Sequence, residues 1–200
     1  MRKDFVYLAS ASPRRRELLE QIGVPFEVRS AEIVESRLEG EQPEELVVRL
    51  ARAKAERIWE TVASAEERAV LGADTAVVLG ETVLGKPKDR EQALRMLGQL
   101  SGRTHQVMTG ISVVGAGGSR DEISLSEVRF KATTEQERLA YVATGEPMDK
   151  AGSYAIQGMG AIFVEHLKGS YSSVVGLPLD LTASMLNDIG MPTWLHEVAE

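Results

Sequence analysis

The 200-residue chain is 43% hydrophobic and carries 23 basic against 30 acidic side chains, a net charge of -7. A chain of this length buries ~70% of the surface its unfolded form exposes, which predicts one domain over the whole sequence, and its acidic balance opposes capture of a nucleic-acid polymer. Cysteine is absent, which excludes thiol nucleophiles, thiolate metal sites and disulfides and suits the reducing cytoplasm.

Phe5 to Ala9 is a short apolar run with β-forming residues, and it leads into Ser10-Ala11-Ser12-Pro13-Arg14-Arg15-Arg16. Ser12 is a good N-cap and Pro13 suits the first helical position, so a strand feeds directly into a helix. Unpaired N–H groups at a helix start attract anions, and three arginines there point to a small polyanion, phosphate above all. Pro25 to Arg29 predicts a second short strand, and Ser30 to Gln42 a loop. From Pro43 to about Ala63 the apolar residues Val47, Leu50, Ala51, Ile58 and Val62 recur at helical spacing. Lys54 shares the face of Val47, Ala51 and Ile58. It either snorkels across the core edge or meets a phosphate.

Two strand-length apolar runs, Val70 to Ala73 and Ala76 to Leu79, enclose Asp74-Thr75, placing a carboxylate within or between buried strands. Gly80 to Thr82 predicts a turn and Leu84 to Pro87 a loop. Asp89 and Gln92 predict a capping box for a helix that Ser101-Gly102 ends near Leu100. Arg103 to Val114 and Glu122 to Phe130 read as a hairpin about Gly115-Ala116-Gly117-Gly118. Thr134 and Glu137 predict another capping box on a helix closed by Gly145. Glu146 to Gly158 is too rich in glycine and charge for regular structure and reads as a functional loop. Ala161 to Val164 is a strand candidate. Pro178 opens a helix to about Ile189, and Gly190 ends it. Trp194 and Leu195 are the candidates for a homodimer contact. No segment reaches the ~20 apolar residues that span a bilayer and the first residues lack a signal peptide's apolar core, so no membrane partner is expected.

The sequence holds no G-x-x-x-x-G-K-[ST], no dinucleotide fingerprint and no G-x-S-x-G elbow. His105, His166 and His196 lie far apart without zinc spacing, and His105 beside a strand reads as structural. What remains is a set of cations (Arg14, Arg15, Lys54, Lys86) and acids (Glu35, Asp74) at element ends or on buried faces. Phosphoryl chemistry needs such a set, because a nucleoside triphosphate repels a nucleophile until Arg, Lys and a divalent ion neutralise it, and carboxylates hold that ion. Oxygen ligands favour magnesium or manganese. The same charges also suit plain solvated surface.

Seven separated segments resemble the Maf family of nucleoside triphosphate pyrophosphatases, also labelled septum-formation proteins. In order they are Leu8-Ala9-Ser10-Ala11-Ser12-Pro13-Arg14-Arg15, Gly72-Ala73-Asp74-Thr75, Gly85-Lys86-Pro87, Thr104-His105-Gln106-Val107-Met108-Thr109-Gly110, Asp149-Lys150-Ala151-Gly152, Ile156-Gln157-Gly158 and Val175-Gly176-Leu177-Pro178. The resemblance implies an elongated α/β fold like that of inosine triphosphate pyrophosphatases, with a mixed sheet flanked by helices and two lobes around a central cleft. It also implies hydrolysis between the α and β phosphates, giving a monophosphate and pyrophosphate.

By motif position Asp74 corresponds to the family's proton acceptor. An aspartate is a weak base at neutral pH and acts best on water already acidified by metal, so Asp74 is base, metal ligand or both. Glu35 resembles the family's early acidic position and is the second metal candidate, unless it is a solvated loop glutamate. Ser10, Arg14, Arg15, Lys54 and Lys86 are assigned to the substrate, while Asp149 can simply neutralise Lys150. Arg14, Thr75 and Gln157 occupy positions that the family ties to substrate preference, and Gly72-Ala73-Asp74-Thr75 with Ile156-Gln157-Gly158 resembles the dTTP and UTP branch; the 7-methyl-GTP branch carries other residues in those two segments. An amide such as Gln157 can accept from uracil N3–H and donate to O4, but guanine offers a similar pair, so pocket size must contribute. The expected function is a metal-dependent dTTP/UTP pyrophosphatase. The alternatives are a pyrophosphatase for methylated or other noncanonical nucleotides, and a nucleotide-sensing regulator of division that binds without turnover.

Overall fold

In the computed structural model, which describes residues 5–62, 68–191 and 193, the first apolar run forms strand β1 (Val6–Leu8), buried at all three positions. Parallel partners lie on both of its edges: β2 (Phe26–Val28) pairs Phe26 with Val6, and β3 (Val70–Leu79) pairs Leu71 with Leu8. A strand enclosed in this way must be apolar throughout, and Val6-Tyr7-Leu8 meets that condition. The chain leaves β1 through helix α1 (Pro13–Gln21) to β2 on one side, then passes through helix α2 (Pro43–Val62) to β3 on the other. Crossovers between parallel strands are right-handed, so this reversal of direction sets the two helices on opposite faces. It also makes the carboxyl end of β1 a switch point, where open α/β sheets take ligands.

Strand β3 continues into a turn at Gly80-Glu81 and pairs antiparallel with β4 (Thr82–Leu84), Val77 opposite Leu84. Helix α3 (Arg90–Leu100) follows, then β5 (Thr104–Gly115) and β6 (Gly118–Phe130) as neighbours joined by two residues, and helix α4 (Glu135–Ala143). Three 3-10 turns, at Glu146–Asp149, Ala151–Ser153 and Met159–Phe163, lead to β7 (Val164–Lys168), and helices α5 (Tyr171–Val175) and α6 (Leu179–Asp188) close the described chain. The seven-stranded sheet runs β2-β1-β3-β5-β6-β7, with β4 on β3. The mixed sheet flanked by helices is as the sequence predicts.

The chain divides into two compact units. The first comprises residues up to Asp74, Thr109–Ser124 and the chain from Gly176; the second comprises Thr75–Met108 and Leu125–Val175. In the first, Tyr7, Ala9, Ala55, Ile58, Val62, Val70 and Val114 form one apolar cluster. Helix α2 rides on the sheet through two glycines: a Cβ on Gly72 would strike the carbonyl of Ala51, and one on Gly110 would lie 2.5 Å from that of Val47. In the second, α3, α4 and the sheet bury Leu97, Leu100, Val128 and Phe130, with Tyr154 edge-on to Phe130 at 4.7 Å.

Several local expectations change. Asp74-Thr75 interrupts nothing: Val70–Leu79 is one strand with the polar pair half-buried at its middle. Thr82–Leu84, expected as turn and loop, is a strand because pairing with β3 buries Leu84. Ala161 to Val164 is not a strand. Met159–Phe163 is a 3-10 turn that buries Phe163 fully and leaves Ile162 65% exposed, and β7 starts only at Val164. The loop expected from Glu146 contains two 3-10 turns, and Tyr171–Val175 is a helix that no sequence signal marked. Ser12 stands at the N-cap without using its side chain as a cap. Asp89 caps α3, but Gln92 Oε1 accepts from Lys88 N rather than completing a box. The Thr134–Glu137 box forms in full. Among the described residues no helix is long and apolar enough to cross a membrane. Trp194 and Leu195, on which the homodimer expectation rests, lie outside the described residues.

Candidate active site

Beyond the carboxyl end of β1 the chain turns through Ser10 into α1, and Ser10 Oγ becomes a local hub. It accepts from Ser12 N at 3.2 Å and from Arg15 Nη1 at 3.1 Å. Arg15 Nε donates to the Gly176 carbonyl at 2.8 Å, and Gly176 has φ +134°, a conformation that favours glycine. The guanidinium is thereby pinned at two points beside the helix start. Burial pushes the Arg15 pKa below its ordinary value, Asp74 opposes that, Arg14 adds to it and Glu35 opposes it. A guanidinium starts so high that it stays charged. Arg15, Arg14, Asp74 and Glu35 thus lie within one electrostatic neighbourhood.

Lys54 does not snorkel to solvent. Its side chain is 11% exposed, and Nζ lies 2.7 Å from Asp74 Oδ1 and 2.6 Å from Glu35 Oε1. The strand periodicity explains the first contact: Gly72 and Asp74 share one face of β3, so the close approach of α2 at Gly72 brings Lys54, one turn from Ala51, against Asp74. A buried ammonium needs such partners. Glu35 comes from the loop before α2 and is half exposed. That loop is tied to the helix by Arg49, whose Nη2 donates to Ser36 O at 3.1 Å and to Glu41 Oε2 at 2.9 Å. The Arg49 hydrogen bond holds the Glu41 carboxyl down at about 2.

Two carboxylates converging on one ammonium suit a hard divalent cation of the magnesium type, which takes one or two protein carboxylates and completes its shell with phosphate oxygens and water. Among the described residues no group of three or more His, Asp or Glu side chains forms a self-sufficient cage.

In the second unit, Thr75 follows Asp74 on β3 and is half-buried. Lys86 is exposed on the loop after β4, where Gly85 O accepts from Gly152 N at 3.2 Å, so the Gly85-Lys86-Pro87 and Asp149-Lys150-Ala151-Gly152 segments are joined. Lys150 donates to Glu146 O at 2.7 Å and pairs with Asp149 at 2.5 Å, the neutralisation that the sequence allowed. Gln157 is exposed on a turn between buried Ile156 and Gly158. His105 is 2% exposed, with Nε2 2.8 Å from the Tyr154 hydroxyl and its ring edge-on to Phe130, a packed core residue.

The structure brings Ser10, Arg14, Arg15, Glu35, Lys54 and Asp74 into one neighbourhood of the first unit, and sets Thr75, Lys86 and Gln157 in the second. Sequence reasoning passed over Gly176 as a ligand of Arg15, Arg49 as the tie to the Glu35 loop, and the Tyr141–Glu146 pair beside Gln157. Gly176 lies inside the Val175-Gly176-Leu177-Pro178 segment; the other two depend on contacts with no sequence period.

Such a set of residues invites comparison with known proteins. The family model described as Maf-like protein matches residues 5–189. The chain is 51% identical over 185 residues to a protein of Pseudoalteromonas atlantica named dTTP/UTP pyrophosphatase, covering 92% of this chain and 96% of that one. It is 47% identical over 198 residues to one of the same name from Aromatoleum aromaticum (94% and 96%), and 50% identical over 189 residues to another from Anaeromyxobacter dehalogenans (92% and 94%). A solved nucleoside-triphosphatase, dITP/XTP pyrophosphatase of Mycobacterium abscessus, aligns with TM-score 0.39 and 19% identity over 62% of this chain and 73% of that one, a likeness too slight to bear on chemistry. The extent of the family match and the identity to these relatives make the chain a member of the Maf family.

Proposed function

We propose that the chain hydrolyses dTTP and UTP to the monophosphate and pyrophosphate. The observation that carries a hydrolytic reading is the buried Lys54 ammonium held between Asp74 and Glu35 at the switch point of the sheet. A site for anion binding alone gains nothing from a half-buried carboxylate, which repels phosphate. The choice of nucleotide is supported by the names of the relatives, 46–51% identical over more than nine-tenths of the chain. The family match also crosses both units without a break, which supports one catalytic domain.

In this reading the Ser10 hydroxyl, Arg15, Lys54 and the free N–H groups of α1 receive phosphate oxygens, and Lys86 adds a further cation. Arg14, Thr75 and Gln157 select the base. Glu35 and Asp74 would hold magnesium or manganese, which would neutralise phosphate charge and acidify water. Lys54 grips Asp74 through Oδ1, so Oδ2 accepts the proton of the attacking water. The water oxygen bonds to phosphorus as the bridging P–O bond between the α and β phosphates breaks, and pyrophosphate departs with that electron pair. The reading calls for no nucleic-acid or membrane partner, and a chain without cysteine suits the cytoplasm.

The test is pyrophosphate release across a panel of canonical and modified triphosphates with magnesium or manganese. We expect dTTP and UTP to give the highest kcat/KM. Faster turnover of a methylated or other noncanonical triphosphate would replace this substrate assignment, and saturable binding without product from any nucleotide would make the protein a sensor.

A further inference from the structure

Gln157 is solvent-facing, yet the backbone on both sides of it is gripped by one pair of side chains in its own unit, the buried Tyr141 and the half-buried Glu146. Before it, Ala155 N donates to the Tyr141 hydroxyl at 3.1 Å. After it, Met159 N donates to Glu146 Oε2 at 3.0 Å and Gly160 N to Glu146 Oε1 at 3.1 Å. The pair is closed by the Tyr141 hydroxyl, which donates to Glu146 Oε1 at 2.7 Å.

Two glycines make room for this grip. A Cβ on Gly158 would lie 2.5 Å from Glu146 Oε2, and one on Gly160 would lie 2.6 Å from the Tyr141 hydroxyl. Tyr141 is 4% exposed and stands edge-on to the fully buried Phe163 at 5.2 Å, so the base of the clamp cannot drift. Tyr154, just before the turn, is fixed by its hydrogen bond to His105.

A carboxylate fits here for a simple reason. Three donors face it, two backbone N–H groups and a phenol, and only an acceptor with two unprotonated oxygens can serve them all. Burial pushes the Glu146 carboxyl up, but the bonds from Tyr141, Met159 N and Gly160 N and the charge of Lys150 together bring it below its ordinary value. It is therefore ionised at neutral pH. Apolar packing alone would hold the turn in place approximately. A half-buried charge that bonds the two residues after the exposed amide, and reaches the one before it through the Tyr141 hydroxyl, fixes the position of that amide.

We propose that Tyr141 and Glu146 are positioning residues for base selection: without touching the nucleotide, they set the Gln157 amide at the height and angle that distinguish one base edge from another. This rests on the reading above in which Gln157 contacts the base. Neither residue takes part in phosphate binding or in the proton transfer at Asp74, so their effect belongs to discrimination and not to the triphosphate.

The experiment compares Glu146→Gln and Tyr141→Phe with Gln157→Ala, reading the ratio of kcat/KM for dTTP over dCTP and the inhibition constant of inorganic triphosphate, which has no base. Glu146→Gln keeps the side-chain shape but turns one acceptor into a donor facing an N–H. We expect the ratio to fall roughly tenfold, the scale of one lost hydrogen bond, while the inhibition constant stays within about twofold. In the Gln157→Ala background the same substitution should change the ratio little further, because the residue through which it acts is gone. Tyr141→Phe, which keeps the packing, should repeat the effect and carries the test should Glu146→Gln not fold. The inference is overturned if Gln157→Ala lowers the ratio and the clamp variants do not, if their losses simply add to that of Gln157→Ala, or if inorganic triphosphate weakens in parallel. An unchanged ratio in Gln157→Ala itself overturns the base-reading role and this inference with it.

Discussion

Lys54 has two carboxylate neighbours with different consequences. Its Nζ meets Asp74 Oδ1 at 2.7 Å, and the same ammonium meets Glu35 at 2.6 Å. In Asp74→Asn the amide oxygen can still accept from Lys54, and Glu35 still balances that charge, so the fold should hold. The proton-accepting oxygen is lost. Turnover of dTTP is expected to fall by about 10²–10⁴-fold, with a melting temperature near that of the parent; steady-state rates and thermal melting check both, and wild-type turnover would refute the role. Lys54 could be singled out from the sequence because a charge falls on an apolar helical face, and Asp74 because a carboxylate stands between two apolar runs of strand length. Which partner each chose was not legible, since strand and helix are brought together only by packing. Ser12 teaches the reverse: the sequence placed it correctly at the N-cap, but its backbone N–H bonds to Ser10 while its side chain caps nothing.

Helix α2 and strand β3 work as one element pair, and their spacing is set by the smallest residue. Gly72 lies directly under Ala51 and Ala55. Gly72→Ala should push the helix off the strand and destabilise the protein by roughly 3 kcal/mol or more, beyond ordinary overpacking. It should cost activity even in the folded fraction, because Lys54 moves with the helix. Denaturant midpoints check the first effect. The control is Gly85→Ala, where an added Cβ has nothing within 4 Å. Elements with strong local signals were legible: α2 by its period, α4 by the Thr134–Glu137 box, and the β5–β6 hairpin by its glycine turn. The misread elements are those decided elsewhere in the chain. Thr82–Leu84 is a strand only because β3 offers it an edge, and Met159–Phe163 is a turn because Glu146 takes its N–H groups while Phe163 fills the core.

Each of the two units has an apolar cluster among its described residues, and the second carries a titrating group in its core. Burial lowers the His105 pKa from 6.5 to about 4. Above pH 6.5 the ring is neutral whether the chain is folded or not. As pH falls from 6.5 the unfolded chain takes up a proton that the folded one refuses, so stability present above 6.5 is lost toward 4. Glu41 and Glu137, held at about 2 by Arg49 and Lys131, lose their contributions only once the unfolded carboxylates titrate near ~4.3. The interval between pH 6.5 and 5 is therefore the window for His105. Unfolding free energy should fall there by about 2 kcal/mol, and His105→Gln should flatten the slope; an equal slope in that variant would assign the loss elsewhere.

The sequence by itself determined the family, the mixed α/β class, most helices, and the short roster of cations and acids from which a triphosphate site is built. These follow from local period, caps and motif residues, which act over a few positions. Only the tertiary structure decided that Lys54 joins Asp74 and Glu35, that Gly176 holds Arg15, and that Glu146 and Tyr141 clamp the turn bearing Gln157. Each of these pairings depends on which buried polar group finds its partner once the sheet and helices have packed. That choice is made by desolvation across distant segments, and no local pattern in the chain encodes it.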